Sequence, residues 1–447
     1  MKNQSLNRRE FLTRSAKIGA AAVVAPTLLS SCSDKGNKLV ALRPEGTYYV
    51  PELPDKAIDG RELKAGLVGC GGRGTGAMLN LLNAANGITI TALGDVFADR
   101  LEGARNSLNE KFGQNVPDEN CFLGFDAYQK VIDSGVDMVI LATPPAFRAD
   151  QFKYAVEKGV HAFLEKPIAV DPKGYRTCMA AAKMAEAKGL SVVTGTQRHH
   201  QRNYVEAYKL IQQGYIGEIT GGNVYWNQGM LWYREREKGW SDMEWMIRDW
   251  VNWEWLSGDH IVEQHVHNID VFMWMTGLTP VKATAVGARH RRITGDQYDQ
   301  FSVDFEFENG VHLHSMCRQI DGTSTNVSET IHGTKGYWSS EDNTIRDLKG
   351  NIIWQYEEDS QFTQFDPYTL EHVDWVNHIR KGTQHEEASG TAASSLAGVM
   401  GREAAYSGKT LTWDEMVASE LDLMPAKLEI GPMDMSNYKV HVPGEAK

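Results

Sequence analysis

The sequence predicts an α/β protein of two domains: an N-terminal doubly wound parallel sheet, then a C-terminal α+β domain with an open, mainly antiparallel sheet. Three observations carry this expectation. A chain of 447 residues is too long for one simple core. From Leu63 to about Thr196, short apolar runs alternate with helical patterns at the spacing of βα units. From Val281 onward the text alternates apolar and polar residues around turn signals such as Asn309-Gly310 and Gly333, as hairpin strands do.

Composition narrows the function. Hydrophobic residues make up 42% and charged residues 23%, an ordinary globular balance. The formal net charge of -12 argues against nucleic acid, whose binding needs a basic surface that releases counterions. A small or neutral ligand is expected instead. At the N-terminus, Asn7-Arg8-Arg9-Glu10-Phe11-Leu12 precedes an apolar run from Ile18 to Leu29 and the tetrad Leu29-Ser30-Ser31-Cys32. The first part resembles a twin-arginine export signal and the tetrad resembles a lipobox. Residues 1–32 are therefore expected to be a signal, with lipidation at Cys32, a membrane attachment through that lipid and a periplasmic or cell-surface location. Residues 33–62, with Pro44, Pro51 and Pro54, read as a linker or an arm lying over the surface. The scatter of Cys70, Cys121, Cys178 and Cys317 suggests neither a disulfide framework nor a zinc knuckle.

The first domain, residues 63–196, opens with LKAGLVGCGGRGTGAMLNLL: a strand, a glycine-rich turn and a helix start. Gly69, Gly71 and Gly74 form G-x-G-x-x-G, with Gly72 and Arg73 inside it. The first glycine permits a tight turn, the second lets backbone approach a pyrophosphate, and the third lets helix pack on strand. The next strand, ITITALGDV, brings Asp95 about 26 residues after the first glycine, where a carboxylate binds ribose hydroxyls and repels a 2′-phosphate. The expectation is a Rossmann domain binding NAD rather than NADP. Thr143, Pro144, Glu165 and Lys166 fall at the carboxyl ends of later strands, where the cofactor of such a sheet lies.

GCGGRG, ATPP and above all FLEKP, in this order, resemble the Gfo/Idh/MocA oxidoreductase family, over roughly residues 62–415. The resemblance implies that Lys166 lies beside the nicotinamide and the substrate, relaying a proton from a sugar hydroxyl while hydride leaves the carbon. Where the family often carries a histidine after TPP, this chain has Arg148. The resemblance also implies a substrate domain over residues 197–415. Its helices near Val373–Arg380 and Ala392–Ser407 return to the first domain, its sheet serves a homo-oligomer, and residues 416–447 form a C-terminal extension.

Two tracts of the second domain carry polar chemistry. The first is rich in tryptophan, including Trp226, Trp232 and Trp250 among Arg234 and Arg248, and suits a sugar that stacks on rings and bonds to polar groups. The second, HIVEQHVHNID, puts three histidines and two carboxylates in residues 260–270. Asp259 can cap a helix running to about Thr276, with His260, Glu263, His267 and Asp270 on one face and His265 turned elsewhere. A zinc site from His260, Glu263 and His267 is geometrically conceivable, as is a purely structural polar face; without H-E-x-x-H, no metal is expected. The family resemblance gives a third reading. Glu263 and His267 hold the reacting hydroxyls beside Lys166, these three being the catalytic set, and Trp232, Arg234, Arg248, His260 and Asp270 complete the substrate site. The expected protein is an exported NAD-dependent oxidoreductase acting on a carbohydrate or glycoside. A glycosidase of glycoside hydrolase family 109 type and a non-catalytic sugar-binding lipoprotein are the alternatives.

Overall fold

The structure is a computed structural model that describes residues 39–445; the arginine pair Arg8-Arg9 and Cys32 lie outside the described residues. Six strands, β1 (Leu63–Val68), β2 (Ile88–Asp95), β3 (Cys121–Leu123), β4 (Met138–Leu141), β5 (His161–Leu164) and β6 (Val192–Thr194), form one sheet in the order β3-β2-β1-β4-β5-β6. Every neighbouring pair is parallel. Helices α1 (Gly72–Ala84), α2 (Ala98–Phe112), α3 (Ala127–Asp133), α4 (Arg148–Glu157) and α5 (Pro172–Ala187) connect them. Both faces of the sheet are covered, so β4 is buried at all positions and reads as a continuous apolar run. The strand order reverses between β1 and β4, which opens a crevice at their carboxyl ends. The unit β3–α3 has no counterpart in the sequence reading: three residues ending in the exposed Leu123 carry no periodic signal.

Helix α6 (Arg202–Gln212) leads into the second domain. Its strands are β7 (Ile219–Gln228), β8 (Pro280–Ala288), β9 (Gln300–Phe307), β10 (His312–Gln319), β11 (Asn326–Gly333), β12 (Gly336–Ser339), β13 (Thr344–Asp347), β14 (Ile352–Gln355) and β15 (Leu411–Thr412). They lie in the order β14-β13-β12-β11-β7-β10-β9-β8-β15, and only β7 and β10 pair in parallel. Between β7 and β8 the chain forms four helices, α7 (Asp242–Arg248), α8 (Glu254–Ser257), α9 (His260–Glu263) and α10 (Val266–Thr276). One face of the sheet packs Val224, Phe305, Leu313 and Ile331 into a core with Phe272 of α10 and Val399 and Met400 of a later helix, α12 (Ala388–Ser407). The strands alternate, so Val286 and Ile353 are left exposed on the other face.

Helix α11 (Pro367–Lys381) lies on the first domain. Asp366 caps it through Tyr368 N, and Asn80 of α1 donates to Asp366 and Thr369 at 2.9 and 2.8 Å. Leu370, Val373, Trp375 and Val376 are buried with Ala77, Leu81 and Phe163; each such side chain contributes about 1.5–3 kcal/mol. The two domains are thereby fixed around one crevice. The arm from Val40 runs over α6 and α11: Arg43 donates to Gln212, Arg202 to the Leu53 carbonyl, and Ile58 N to Asn377.

Candidate functional site

The glycine turn makes the floor of the crevice. Gly69 has φ +90, and a Cβ there would lie 2.6 Å from the backbone of Ala142; a Cβ on Gly74 would lie 1.8 Å from the Gly69 carbonyl oxygen. These two glycines are fixed by the protein's own packing. Gly71 and Gly72 differ: a Cβ on either would meet nothing within 4 Å. The backbone there faces open space at the start of α1, whose first N–H groups no side chain caps. That arrangement suits a pyrophosphate.

Above the turn is a cavity of about 430 Å³, lined by Gly69, Gly71, Gly72, Arg73, Gly74, Asp95, Thr143 and Pro144 of the first domain. All eight are among the cofactor residues expected from the sequence. The Asp95 carboxylate accepts hydrogen bonds from Cys70 N at 2.7 Å and Phe97 N at 2.8 Å, and burial raises its pKa. The remaining predicted cofactor residues, Glu165 and Lys166, stand on the strand end beside it. Glu165 is salt-bridged to Arg73, whose other arm reaches Glu371 of α11 at 2.9 Å.

Lys166 faces the second domain. Its Nζ donates to the Glu263 carbonyl at 2.5 Å and lies 3.1 Å from Glu263 Oε1. The second carboxylate oxygen, Oε2, is buried with no partner among the described residues. A buried acceptor left open costs free energy until a donor reaches it. His267 adjoins this pair, stacked on Trp226 at 5.5 Å and 22°. Burial, and then the Lys166 charge, hold the imidazole well below its ordinary pKa and so favour its neutral form. The structure therefore brings Lys166, Glu263 and His267 together, with Glu263 gripping the lysine rather than the histidine.

Other expectations need correction. The single helix from Asp259 to Thr276 is two helices, because His265 N bonds back five residues to the His260 carbonyl and widens the turn. This extra residue rotates α10 relative to α9 and scatters the predicted polar face. His260, expected in the substrate site, is 2% exposed, with Nδ1 2.9 Å from Asp259 and 3.2 Å from Arg292. Asp270 is also buried, accepting from Ser394 at 2.7 Å and pairing with His199 at 2.6 Å, so neither oxygen is left for a sugar. His265 turns into the sheet onto Ser315 at 2.7 Å.

The tryptophan tract divides in three. Trp226 stays with His267. Trp232, Arg234 and Arg248, expected to hold substrate, instead wall the glycine-turn cavity together with Trp250. Arg248 is drawn there by Asp99 at 3.1 Å and by the Phe97 ring at 3.9 Å, both first-domain groups. Trp253 and Trp255 are core, in a cluster that Leu423, Met433 and Tyr438 of the C-terminal extension complete. None of the arm residues from Val40 lines the cavity; the tract covers it instead.

Several contributing residues were not recognised in the sequence. Arg198 is salt-bridged to Glu329 and lies 5.5 Å from the Trp226 ring, and His199 next to it carries the Asp270 contact. Burial opposes a charge on His199, yet Asp270 raises its pKa above the usual range. Their position just after β6, at a strand's carboxyl end, was the available signal. Arg148, the departure from the family pattern, donates to the carbonyls of Pro167 at 2.6 Å and Thr143 at 2.5 Å, and burial lowers its pKa to about 10. It ties the two strand-end loops together from below. Glu371, 298 residues from Arg73, carried no local signal.

Comparison with known proteins agrees with this layout. Residues 63–196 match the model for the oxidoreductase family, NAD-binding Rossmann fold, and residues 204–339 match the GFO/IDH/MocA C-terminal domain. The chain is 27% identical over 232 residues to 2,7-anhydro-N-acetylneuraminate hydratase of Escherichia coli (strain K12). That match spans 50% of the chain and little more than half, 57%, of the relative. It is 27% identical over 410 residues to glycosyl hydrolase family 109 protein 2 of Shewanella sp. (strain ANA-3), covering 86% of the chain and 84% of the relative. In fold it resembles scyllo-inositol dehydrogenase from Lactobacillus casei with bound cofactor NAD(H) and scyllo-inositol, with TM-score 0.60 and 20% identity over 80% of this chain and 100% of that one.

Proposed function

Because the chain belongs to the Gfo/Idh/MocA oxidoreductase family, we propose that it transfers hydride between a carbohydrate or glycoside hydroxyl carbon and a tightly held NAD. The observation that carries the reading is the Lys166–Glu263 pair with its open Oε2 beside a neutral His267. Glycine-turn backbone would hold the pyrophosphate and Asp95 a ribose, the carboxylate favouring NAD over NADP. A bound nicotinamide supplies the hydride acceptor. The protein supplies the rest. Glu263 Oε2 accepts a hydrogen bond from a substrate hydroxyl, Lys166 Nζ holds the reacting oxygen, and His267 takes the proton as the carbon is oxidised. Trp226 offers a ring face to the sugar.

The walling of the cavity by Trp232, Trp250 and Arg248 supports a cofactor retained through turnover. Together with the Arg8-Arg9 and Cys32 leader, it favours a lipid-anchored enzyme exported folded and loaded, whose cofactor is restored within the same site by a second sugar or another acceptor. Homo-oligomerisation through the exposed sheet face with Val286 and Ile353 fits the same reading. The test is mass spectrometry of the purified full chain, followed by a screen of sugars and glycosides with an artificial electron acceptor. Bound NAD and acceptor reduction are expected, with both Lys166→Ala and His267→Ala inactive; full activity in both variants overturns the assignment.

A second reading, a family 109 type glycosidase with no net redox change, is favoured by the length of the Shewanella match. Release of phenol from a p-nitrophenyl glycoside without consumption of acceptor would establish it.

A further inference from the structure

Behind the reactive cluster, side chains from four separate segments converge where the proposed reaction makes no use of them. His200 comes from the turn after β6, Asp374 and His378 from α11, His385 and Glu387 from the loop before α12, and Tyr49 from the arm. His200 Nε2 lies 3.2 Å from Asp374 Oδ2 and 3.5 Å from Glu387 Oε1, and His385 Nε2 lies 3.1 Å from the same Glu387 oxygen. His200 is fully buried, and the Asp374 and Glu387 side chains are 3% and 9% exposed.

Charge is the first argument. Two carboxylates share this space, and their cationic partners are histidines; among the described residues neither accepts a hydrogen bond from lysine or arginine. Two buried negative charges require compensation. A neutral imidazole has one N–H, which cannot serve two carboxylate oxygens well from a single Nε2. Geometry is the second. Ligands bound tetrahedrally to zinc at about 2.0–2.1 Å stand roughly 3.3–3.4 Å apart; the separations of 3.2 and 3.5 Å bracket that spacing. The third argument is the arrangement of the outer oxygens. Tyr49 donates to Asp374 Oδ1 at 2.7 Å, while Thr194 N and its hydroxyl donate to Glu387 Oε2 at 2.9 and 3.3 Å. The outward oxygens are held by donors, and the inward ones are turned onto His200, as carboxylates around a metal are oriented.

We propose that His200 Nε2, Asp374 Oδ2 and Glu387 Oε1 bind one divalent first-row cation of the zinc class, with His385 behind them orienting Glu387 through Oε1. A dication with two carboxylates and neutral imidazoles makes the buried site electrically neutral. The borderline nitrogen and oxygen donor set suits zinc better than magnesium or calcium. Three protein ligands leave a fourth position for water, and the ion would tie together the segments that supply them. It joins α11 and the loop before α12 to the turn that carries Arg198 and His199 toward His267. No part of this depends on the hydride-transfer reading.

The experiment uses the full chain, stripped with a chelator and titrated with Zn²⁺ alone and with Co²⁺ alone. A single equivalent of each is expected, the Co²⁺ form showing the visible bands of a tetrahedral nitrogen and oxygen site. Glu387→Gln should lose binding, and His385→Ala should weaken Zn²⁺ affinity by about 10–100-fold. X-ray absorption of the zinc-loaded wild type needs no variant to fold and should show imidazole and carboxylate donors without sulfur. A folded wild-type chain that takes up neither ion overturns the proposal. So does equal uptake by wild type and a folded Glu387→Gln, or sulfur in the zinc shell.

Discussion

The glycine turn and the helix pair around His267 acquire their contacts by opposite routes. In the turn, residues five positions apart decide everything: Gly69 and Gly74 touch each other, and Gly71 and Gly72 face the space a cofactor takes. Around His267, each polar residue of a short stretch finds a different distant partner. Glu263 meets Lys166, His260 meets Arg292, Asp270 meets His199, and His265 meets Ser315. A motif whose contacts are local can be read from spacing alone, whereas a polar helix face acquires its roles from whatever packs against it.

The largest effect should come from the second region. Lys166→Met removes the group that joins the domains at the reacting centre and should lower kcat by about 10²–10⁴, as expected for loss of a general acid or base. Glu263→Gln should follow in the same direction, measured by steady-state kinetics with an active sugar. In the turn, Gly74→Val should destabilise the fold by roughly 1–3 kcal/mol through overpacking, read from the denaturation midpoint. Gly72→Ala should leave the midpoint of the nucleotide-free chain unchanged, since its Cβ meets nothing, while lowering nucleotide content. Equal stability loss in both variants would erase the distinction between the two kinds of glycine.

Acid titration probes the helix pair by itself. Burial holds folded His265 down to about 3, while the unfolded residue takes its proton near 6.5. Between those values the unfolded state binds more protons, so stability falls as pH falls, by about 1.4 kcal/mol per unit for this residue. His267 acts in the same direction. His265→Asn should flatten the dependence of Tm on pH below 6.5. His199 runs the other way. Asp270 raises its pKa, so its stabilisation is complete below 6.5 and is lost as pH rises through the raised value; Asp270→Asn should abolish that loss.

The smallest effect should be at the cavity wall. The Asp99 partner of Arg248 is 59% exposed, and such a pair contributes about 1 kcal/mol or less. Arg248→Ala should therefore speed nucleotide release several-fold with kcat unchanged, measured by fluorescence of the bound reduced cofactor. A matching fall in kcat would return Arg248 to the substrate site.

By itself the sequence determined the two-domain order, the βα alternation from Leu63, the positions of Gly69, Asp95 and Thr143 around one cavity, and that of Lys166 at a strand end. Period and spacing suffice for these, because a parallel sheet buried on both faces leaves its signature in every strand and its strand ends converge by topology. Only the tertiary structure decided which polar groups work together. It turned Trp232, Arg234 and Arg248 to the cofactor side, withdrew His260 and Asp270 into buried pairs, and recruited Arg198 and Glu371. It also assembled His200, Asp374 and Glu387 from segments that sequence leaves far apart. The physical reason is that a buried charge or hydrogen-bonding group must find a partner wherever packing offers one. Those partners lie at sequence distances over which periodicity carries no information.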